Sequence, residues 1–170
     1  MVFSEDFNTG TAGEWPDGRY PDNGVWEIGI PTVGPSSCFD VNQCAGTVLD
    51  AYYPDYIDSR LISPSLTLPP ISPDEQLQLR FQHWFAYAGG SYGRVEISEL
   101  NVDGSWPDWA IVGGPYGVSY DWIGESVDLS HIPIKKVSIG FAHIADGNNS
   151  WGWYIDAHKD KQVGRDRAVD

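Results

Sequence analysis

Glycine and proline interrupt nearly every stretch of this sequence that is long enough for three turns of helix. The 170 residues include 19 glycines and 12 prolines, and both residue types are unfavourable in a helix interior. Between them lie short runs rich in β-branched and aromatic residues, which favour strands. These runs cover residues 2–7, 24–28, 46–53, 60–68, 75–86, 92–100, 108–112, 120–129, 134–144 and 150–156. They predict an all-β domain in which two antiparallel sheets pack face to face.

Apolar and polar side chains alternate along the longer runs, and this alternation indicates which residues face inward. In 75–86 the inward set is Leu77, Leu79, Phe81, His83 and Phe85, and the outward positions up to His83 are Gln76, Gln78, Arg80 and Gln82. Two further inward sets are Val137, Ile139, Phe141 and His143, and Trp151, Trp153 and Ile155. Because successive side chains of a strand point to opposite faces, these sets predict the core between the sheets.

Two histidines continue the inward phase of their strands. We expect His83 and His143 to be buried and neutral, with hydrogen bonds to the backbone or to tyrosine. A metal-binding or titrating role is the alternative.

The loops carry turn residues and one short motif that suggests chemistry. Pro16-Asp17-Gly18 is typical of a turn, and Asp146-Gly147-Asn148-Asn149 is typical of a hairpin loop. Gly89 to Gly93 matches the G-x-S-x-G pattern of a hydrolase nucleophile. That motif requires a strand, a turn and a helix. Since another strand follows Gly93, we interpret Ser91 as a residue of a hairpin turn.

The charge of the chain excludes several classes of partner. Ten lysines and arginines against 24 aspartates and glutamates give a net charge of −14. Such a surface repels nucleic acids and anionic membranes. No apolar run approaches the roughly 20 residues of a membrane-spanning helix. Met1 is followed at once by a predicted strand, so no signal peptide is expected in this chain.

The strand pattern stops near residue 156. We therefore predict one domain at 1–156 and a charged tail at 157–170 that is disordered or loosely docked. Cys38 and Cys44 lie in a loop rich in proline, serine and asparagine, where a disulfide would stabilise the fold by roughly 2 kcal/mol. Two free thiols are the alternative.

Several phrases of the sequence, taken together and in order, carry a family resemblance. They are FSEDFN (3–8), VWEIGIP (25–31), GTVLDAYYPDYIDSRLISPSLTLP (46–69), LRFQHWF (79–85), GRVEIS (93–98), SVDLSHI (126–132), VSIGFAH (137–143) and SWGWYID (150–156). The chain resembles the MAM-like domains that accompany bacterial secreted peptidases of the immune-inhibitor-A type and related surface proteins. The resemblance implies a jelly-roll β-sandwich of the concanavalin A-like kind. It also implies a non-catalytic module for adhesion or recognition, in a secreted or cell-surface protein.

Carboxylates at the two ends of the domain suggest a structural calcium ion. Glu5 and Asp6 lie on the first predicted strand and Asp156 on the last, and these strands commonly pair in jelly rolls. Asp50 or Asp58 could add a ligand, since Ca²⁺ takes six to eight oxygens. The family resemblance also supports an ion near the termini. Alternatively, these carboxylates are solvated or pair with Arg60 and Arg94.

Aromatic residues in loops and at outward positions suggest a ligand-binding surface. We predict that Trp106, Trp109, Tyr116, Tyr120 and Trp122 bind the ligand, because such side chains stack on sugars or anchor protein interfaces. In the alternative they are mainly buried and cover sheet edges.

The sequence leaves three classes of function open. The first is a recognition or adhesion module with a protein or glycan ligand, and a carbohydrate-binding module is its close rival. The second is a glycan hydrolase that uses Glu96, although the odd spacing from Glu99 places those two side chains on opposite faces. The third is self-association through the aromatic surface or an uncovered strand edge.

Overall fold

The computed structural model describes residues 7–8, 17–18, 24–40, 42–99, 108–133, 136–157 and 167–169. Its strands are β1 (Asp17–Gly18), β2 (Trp26–Gly29), β3 (Cys44–Thr47), β4 (Ser59–Ile62), β5 (Leu66–Thr67), β6 (Leu77–Ala86), β7 (Tyr92–Glu99), β8 (Ala110–Tyr116), β9 (Ile123–Asp128), β10 (Lys136–Ile144), β11 (Gly152–Ala157) and β12 (Arg167–Val169). The described residues contain no helix. Accordingly, none of them forms a helix long and apolar enough to cross a bilayer.

The strands form two sheets. The first sheet has the order β1-β4-β10-β7-β8, with β5 beside β10, and the second has the order β12-β6-β11-β3-β2, with β9 beside β6. Among the described pairings only β12 with β6 is parallel, and the others are antiparallel. The predicted jelly-roll β-sandwich of two antiparallel sheets is confirmed.

The core lies between the sheets and follows the predicted alternation. The inward residues of β6 and β10 are buried, with exposed fractions between 0% and 6%. The third predicted set is wrong at one position. Gly152 has a φ of 88°, which interrupts the alternation of the strand. Trp153 and Ile155 lie within the core, whereas Trp151 packs with Trp84 and Tyr154 outside it.

Three loop predictions are also wrong. Residues 145–151 connect β10 of the first sheet to β11 of the second, so Asp146 to Asn149 lie on a crossing between sheets and not in a hairpin. The loop with Ser91 makes the opposite crossing, from β6 to β7. Asp17 and Gly18, predicted as part of a turn, form the short strand β1 beside β4.

The two ends of the predicted domain come close together. Phe7 is buried in the core, and Asn8 is hydrogen bonded to Asp40 and Gln43. The amide of Asp40 in turn donates to the carboxylate of Asp156 on β11 at 3.1 Å. Residues 2–6 of the predicted first strand lie outside the described residues. In the predicted tail, Ala157 ends β11 and residues 167–169 pair with β6.

The predicted disulfide is confirmed. Cys38 and Cys44 are bonded, with their Cα atoms 5.6 Å apart, and both are buried. The bond joins the start of β3 to the loop of residues 30–40. The carbonyl of Ser37 in this loop accepts a hydrogen bond from the indole of Trp122 at 3.0 Å, so the disulfide holds the loop against the outer side of the second sheet.

Candidate ligand-binding groove

The outer face of the first sheet carries a buried charge cluster. Glu96 on β7 is 1% exposed, and each of its carboxylate oxygens accepts a hydrogen bond of 2.7 Å from an arginine Nε, one from Arg60 and one from Arg94. Arg60 lies on β4, and Glu96 lies on β7. Because both strands flank β10, Arg60 comes beside Glu96 on the same face of the sheet. Two cations around one buried anion leave this cluster with a net positive charge.

Aromatic rings hold the two guanidinium groups in place. The guanidinium of Arg60 lies 4.5 Å from the ring centroid of Trp109, and that of Arg94 lies 5.9 Å from the ring of Tyr92. Gly140 on β10 makes this layer possible, since a Cβ there would come within 2.6 Å of Arg60 and 2.8 Å of Trp109. Cation–π contacts and the ion pairs together restrict both arginines.

Two cavities open on this face, and Arg94 lines both. The larger, of about 530 Å³, lies between the start of β7 and the end of β8 and is lined mainly by Ser91, Tyr92, Arg94, Ile111, Pro115 and Tyr116. We call it the groove. The smaller, of about 190 Å³, lies between Arg60 and Arg94 and is also lined by Asp58, Ser59, Ala142 and Ile144. We call it the arginine pocket.

The loop at one end of the groove is fixed by Asp146. Its carboxylate accepts hydrogen bonds from the Gly90 amide at 2.6 Å and the Ser91 hydroxyl at 3.0 Å, and its own amide donates to Ser91 Oγ at 3.0 Å. Hydrogen bonds from the Asn148 and Gly90 amides lower the pKa of Asp146 below its ordinary 3.8. Ser91 thus links the two crossing loops, and its surroundings do not form a nucleophile elbow.

The structure separates the five aromatic residues predicted as a ligand site. Trp109 covers Arg60 on the outer face of the first sheet, and Tyr116 lines the groove from the core side at 8% exposure. Tyr120 and Trp122 lie beyond the crossing from β8 to β9, on the outer side of the second sheet. Trp106 lies outside the described residues. Burial, with a smaller effect of Glu125, raises the pKa of Tyr116.

The outer side of the second sheet carries a separate aromatic face. Trp84 and Tyr154 form its base, and Tyr120, 66% exposed, meets Trp84 edge-on. Tyr52, 49% exposed, packs on Trp151 with ring centroids 4.2 Å apart. We call this set the second aromatic face.

The predicted calcium ligands are placed only in part. Asp156 lies near Asp40 and Asn8, whereas Glu5 and Asp6 lie outside the described residues. Asp50 is not brought to Asp156. In the ladder of β11 with β3, Tyr154 pairs with Gly46 and Ile155 with Ala45, so Asp156 lies towards the Cys44 end of β3. Asp50 follows the opposite end of β3. Within the described ranges, no three histidine, cysteine, aspartate or glutamate side chains are grouped to hold a metal ion.

Both inward histidines are buried, as expected from the sequence, and His143 has the expected tyrosine partner, whereas the partner of His83 is a tryptophan. His143 Nδ1 lies 2.9 Å from the hydroxyl of Tyr87, and His83 Nδ1 accepts a hydrogen bond of 3.2 Å from the indole of Trp153. Burial lowers the pKa of each imidazole from 6.5 to about 3. Both are therefore neutral at physiological pH, as predicted.

Solved structures of the same architecture belong to adhesin and carbohydrate-binding domains. The K1 cleaved adhesin domain of Lys-gingipain from Porphyromonas gingivalis W83 is 18% identical with a TM-score of 0.54, covering 92% of this chain and 95% of that domain. The module TmCBM61, solved with β-1,4-galactotriose, is 12% identical with a TM-score of 0.53, covering 89% and 90%. The CBM22-1 xylan-binding domain of Paenibacillus barcinonensis Xyn10C is 10% identical with a TM-score of 0.52, covering 92% and 90%. These likenesses show the fold.

One curated protein is similar in sequence. Bacillopeptidase F of Bacillus subtilis strain 168 is 26% identical over 167 residues, which is 96% of this chain. The chain spans 11% of the length of that relative. No family model matches the chain, so the MAM-like assignment stays a prediction.

Proposed function

We propose that this domain is a non-catalytic recognition module and that it binds a glycan along the groove. The observation that carries the proposal is the cleft of about 530 Å³ on a solvent-facing sheet, a volume within the range of small-ligand sites. Tyr92 offers a ring for stacking, and Arg94 offers hydrogen-bond donors to sugar hydroxyls. The shared fold of the carbohydrate-binding domains supports the proposal.

The environment of Glu96 argues against the hydrolase alternative. A glycosidase needs two carboxyl groups facing the same bond, about 5 to 9.5 Å apart. Both oxygens of Glu96 are bonded to arginines, and the strand phase directs Glu99 to the opposite face. Glu96 therefore serves to hold Arg60 and Arg94 in position.

We infer that the domain is an accessory part of a larger secreted or cell-surface protein. The similarity to a segment of a peptidase supports this, and so does the disulfide, since such bonds persist in oxidising compartments. A mass difference of about 2 Da between the oxidised and reduced protein, isolated from the culture medium of its own host, tests the inference. Recovery of the protein only from the cytosol would contradict it.

A protein ligand bound by the second aromatic face is the second candidate function. Its support is the exposure of Tyr52 beside Trp151 and of Tyr120 beside Trp84, because exposed aromatic clusters mark interaction sites. The aromatic variants below separate the two candidates.

We also propose that calcium stabilises the junction of the chain's ends. Asp156, Asp40 and Asn8 supply oxygens there, and Glu5 and Asp6 precede Asn8 in the sequence. A bound ion would offset the repulsion among these carboxylates. Millimolar Ca²⁺ should raise the melting temperature, and EDTA should reverse the rise. An unchanged melting temperature would contradict this proposal.

A glycan array with matched variants tests the main proposal. The wild-type domain should bind at least one class of oligosaccharide, and Tyr92→Ala should weaken that binding by about tenfold or more, equivalent to about 1.4 kcal/mol. Tyr52→Ala, the same substitution on the second aromatic face, should bind as the wild type does. Absence of glycan binding, or a loss confined to Tyr52→Ala, would overturn the proposal.

A further inference from the structure

The arginine pocket is built differently from the groove beside it. Both guanidinium groups that flank it donate their Nε to the same buried carboxylate, with distances of 2.7 Å. This arrangement leaves the terminal Nη groups outside the ion pairs with Glu96. Apart from a contact of 3.4 Å between Arg94 Nη1 and the Tyr92 hydroxyl, they have no hydrogen-bond partner in the part of the chain that the structure describes.

Such restrained guanidinium groups are suited to a carboxylate. The planar fork of arginine matches the two oxygens of a carboxylate and forms shorter, stronger hydrogen bonds with it than with neutral acceptors. Because Glu96, Trp109 and Tyr92 already restrict the two side chains, little conformational entropy remains to be lost on binding. The side chains are 15% and 25% exposed for Arg60 and Arg94, so a ligand can reach them.

The charge around the pocket limits the ligand to a single anionic group. Arg60, Arg94 and Glu96 sum to +1, and Asp58 in the lining brings the sum to zero, on a chain whose net charge is −14. Asp58 is the remaining charged residue of the lining, and its Oδ1 accepts a hydrogen bond from the Ala145 amide at 3.0 Å. A long run of anions, as in nucleic acid, meets repulsion from the rest of the surface, whereas one carboxylate faces two cations.

We propose that the arginine pocket binds the carboxylate of a uronic acid residue, so that the glycan recognised by this domain is acidic. Arg94 lines both cavities, so one sugar can place its carboxylate in the pocket while its neighbour lies against Tyr92 in the groove. This inference rests on the proposed glycan-binding function and specifies the class of sugar.

The test compares oligosaccharides with their carboxyl-reduced forms, in which each uronic acid becomes the neutral sugar. An array of such pairs, including trigalacturonate and glucuronic-acid-branched xylo-oligosaccharides, should show binding to acidic members and at least tenfold weaker binding to their reduced partners. Binding that is equal or stronger for the reduced forms would overturn the inference and leave the proposed function standing. Absence of binding to any glycan, acidic or neutral, would overturn both.

Variants then assign the effect to the pocket. Arg60→Gln should reduce the affinity for the acidic member to that for its reduced partner, and Arg60→Lys, which keeps the charge and loses the fork, should be intermediate. Glu99→Gln, an exposed change on the same strand as Arg94, should leave the affinity ratio unchanged. Circular dichroism melts show whether each variant is folded. A folded Arg60→Gln protein that keeps the full preference for the acidic member would contradict the assignment.

Discussion

Arg94 donates a hydrogen bond from Nε to Oε1 of Glu96 at 2.7 Å, and Glu96 is almost completely buried although it lies on the outer face of a sheet. The two residues are two positions apart on β7, so their side chains share that face. The second oxygen of Glu96 is bonded to Arg60. A charge buried in this way costs free energy unless every partner is present.

Removal of the carboxylate should therefore destabilise the domain strongly. Glu96→Ala leaves two arginines without their anion, and we expect a loss of about 3 to 5 kcal/mol in the free energy of unfolding, measured by urea titration. Glu99→Ala removes an exposed carboxylate from the end of the same strand and should change stability by no more than about 0.5 kcal/mol. Equal effects of the two variants would show that the cluster is not needed for stability.

The absence of a side chain at Gly140 should also be required for stability. Gly140→Ala places a methyl group where the Arg60 side chain and the Trp109 ring now lie, and such overpacking typically costs about 1 to 3 kcal/mol. Gly117→Ala is the matched control, because a Cβ there has nothing within 4 Å. A stable Gly140→Ala protein with unchanged tryptophan fluorescence would contradict the close packing of Trp109.

Loss of the disulfide should destabilise the fold and change the fluorescence of Trp122. On the chain-entropy model, a ring this small contributes about 2 kcal/mol, so the double variant Cys38→Ala, Cys44→Ala should lose about that amount. Release of the loop should also weaken the hydrogen bond from Trp122 to Ser37 and the edge contact with Phe39. If the double cysteine variant shows a fluorescence change that disappears when Trp122→Phe is added, Trp122 is the source of that change. Identical urea curves for the wild type and the double variant would contradict the prediction.

The core histidines should make the domain acid-sensitive. The unfolded chain binds protons at its histidines below about pH 6.5, whereas in the folded state burial lowers the pKa of His83 and His143 to about 3. Their contribution to stability is thus complete above pH 6.5 and is lost as the pH falls towards 3, by up to about 1.4 kcal/mol per pH unit for each.

Nuclear magnetic resonance can check the histidines one by one. Of the four histidines in the chain, the imidazole signals of these two should stay constant between pH 8 and pH 5. Their assignment follows from His83→Gln and His143→Gln. A titration midpoint above pH 5.5 for either imidazole would contradict the burial of that side chain.

The sequence predicts the sandwich and its core well because alternation is a local signal. Leu77 to Phe85 alternate as the sheet requires, and each inward residue is buried. Tyr116 lies beyond the predicted run 108–112, so the sequence treats it as a loop residue, whereas β8 extends to Tyr116. The strand places Tyr116 towards the core at 8% exposure, while Ile111, an odd number of positions away, faces outward and is 60% exposed.

The candidate site was harder to predict because it depends on sheet order. The Arg94 and Glu96 pair follows from their spacing, but Arg60 is remote in sequence and reaches Glu96 only because β4 and β7 flank β10. Conversely, Trp109 and Trp122 are close in sequence and lie on opposite sides of the sandwich, since the chain changes sheets between β8 and β9. Nearness along the chain was a poor guide to a shared surface.

Mapping of a bound glycan on the protein tests the central claim most directly. Amide resonances should be followed while the tightest ligand from the array is titrated into labelled domain. We predict that the largest shifts fall on Tyr92, Arg94 and Ile111, with smaller ones at Arg60. Shifts that cluster instead around Tyr52, Tyr120 and Trp122 would contradict the account, because they would place the ligand on the opposite side of the molecule.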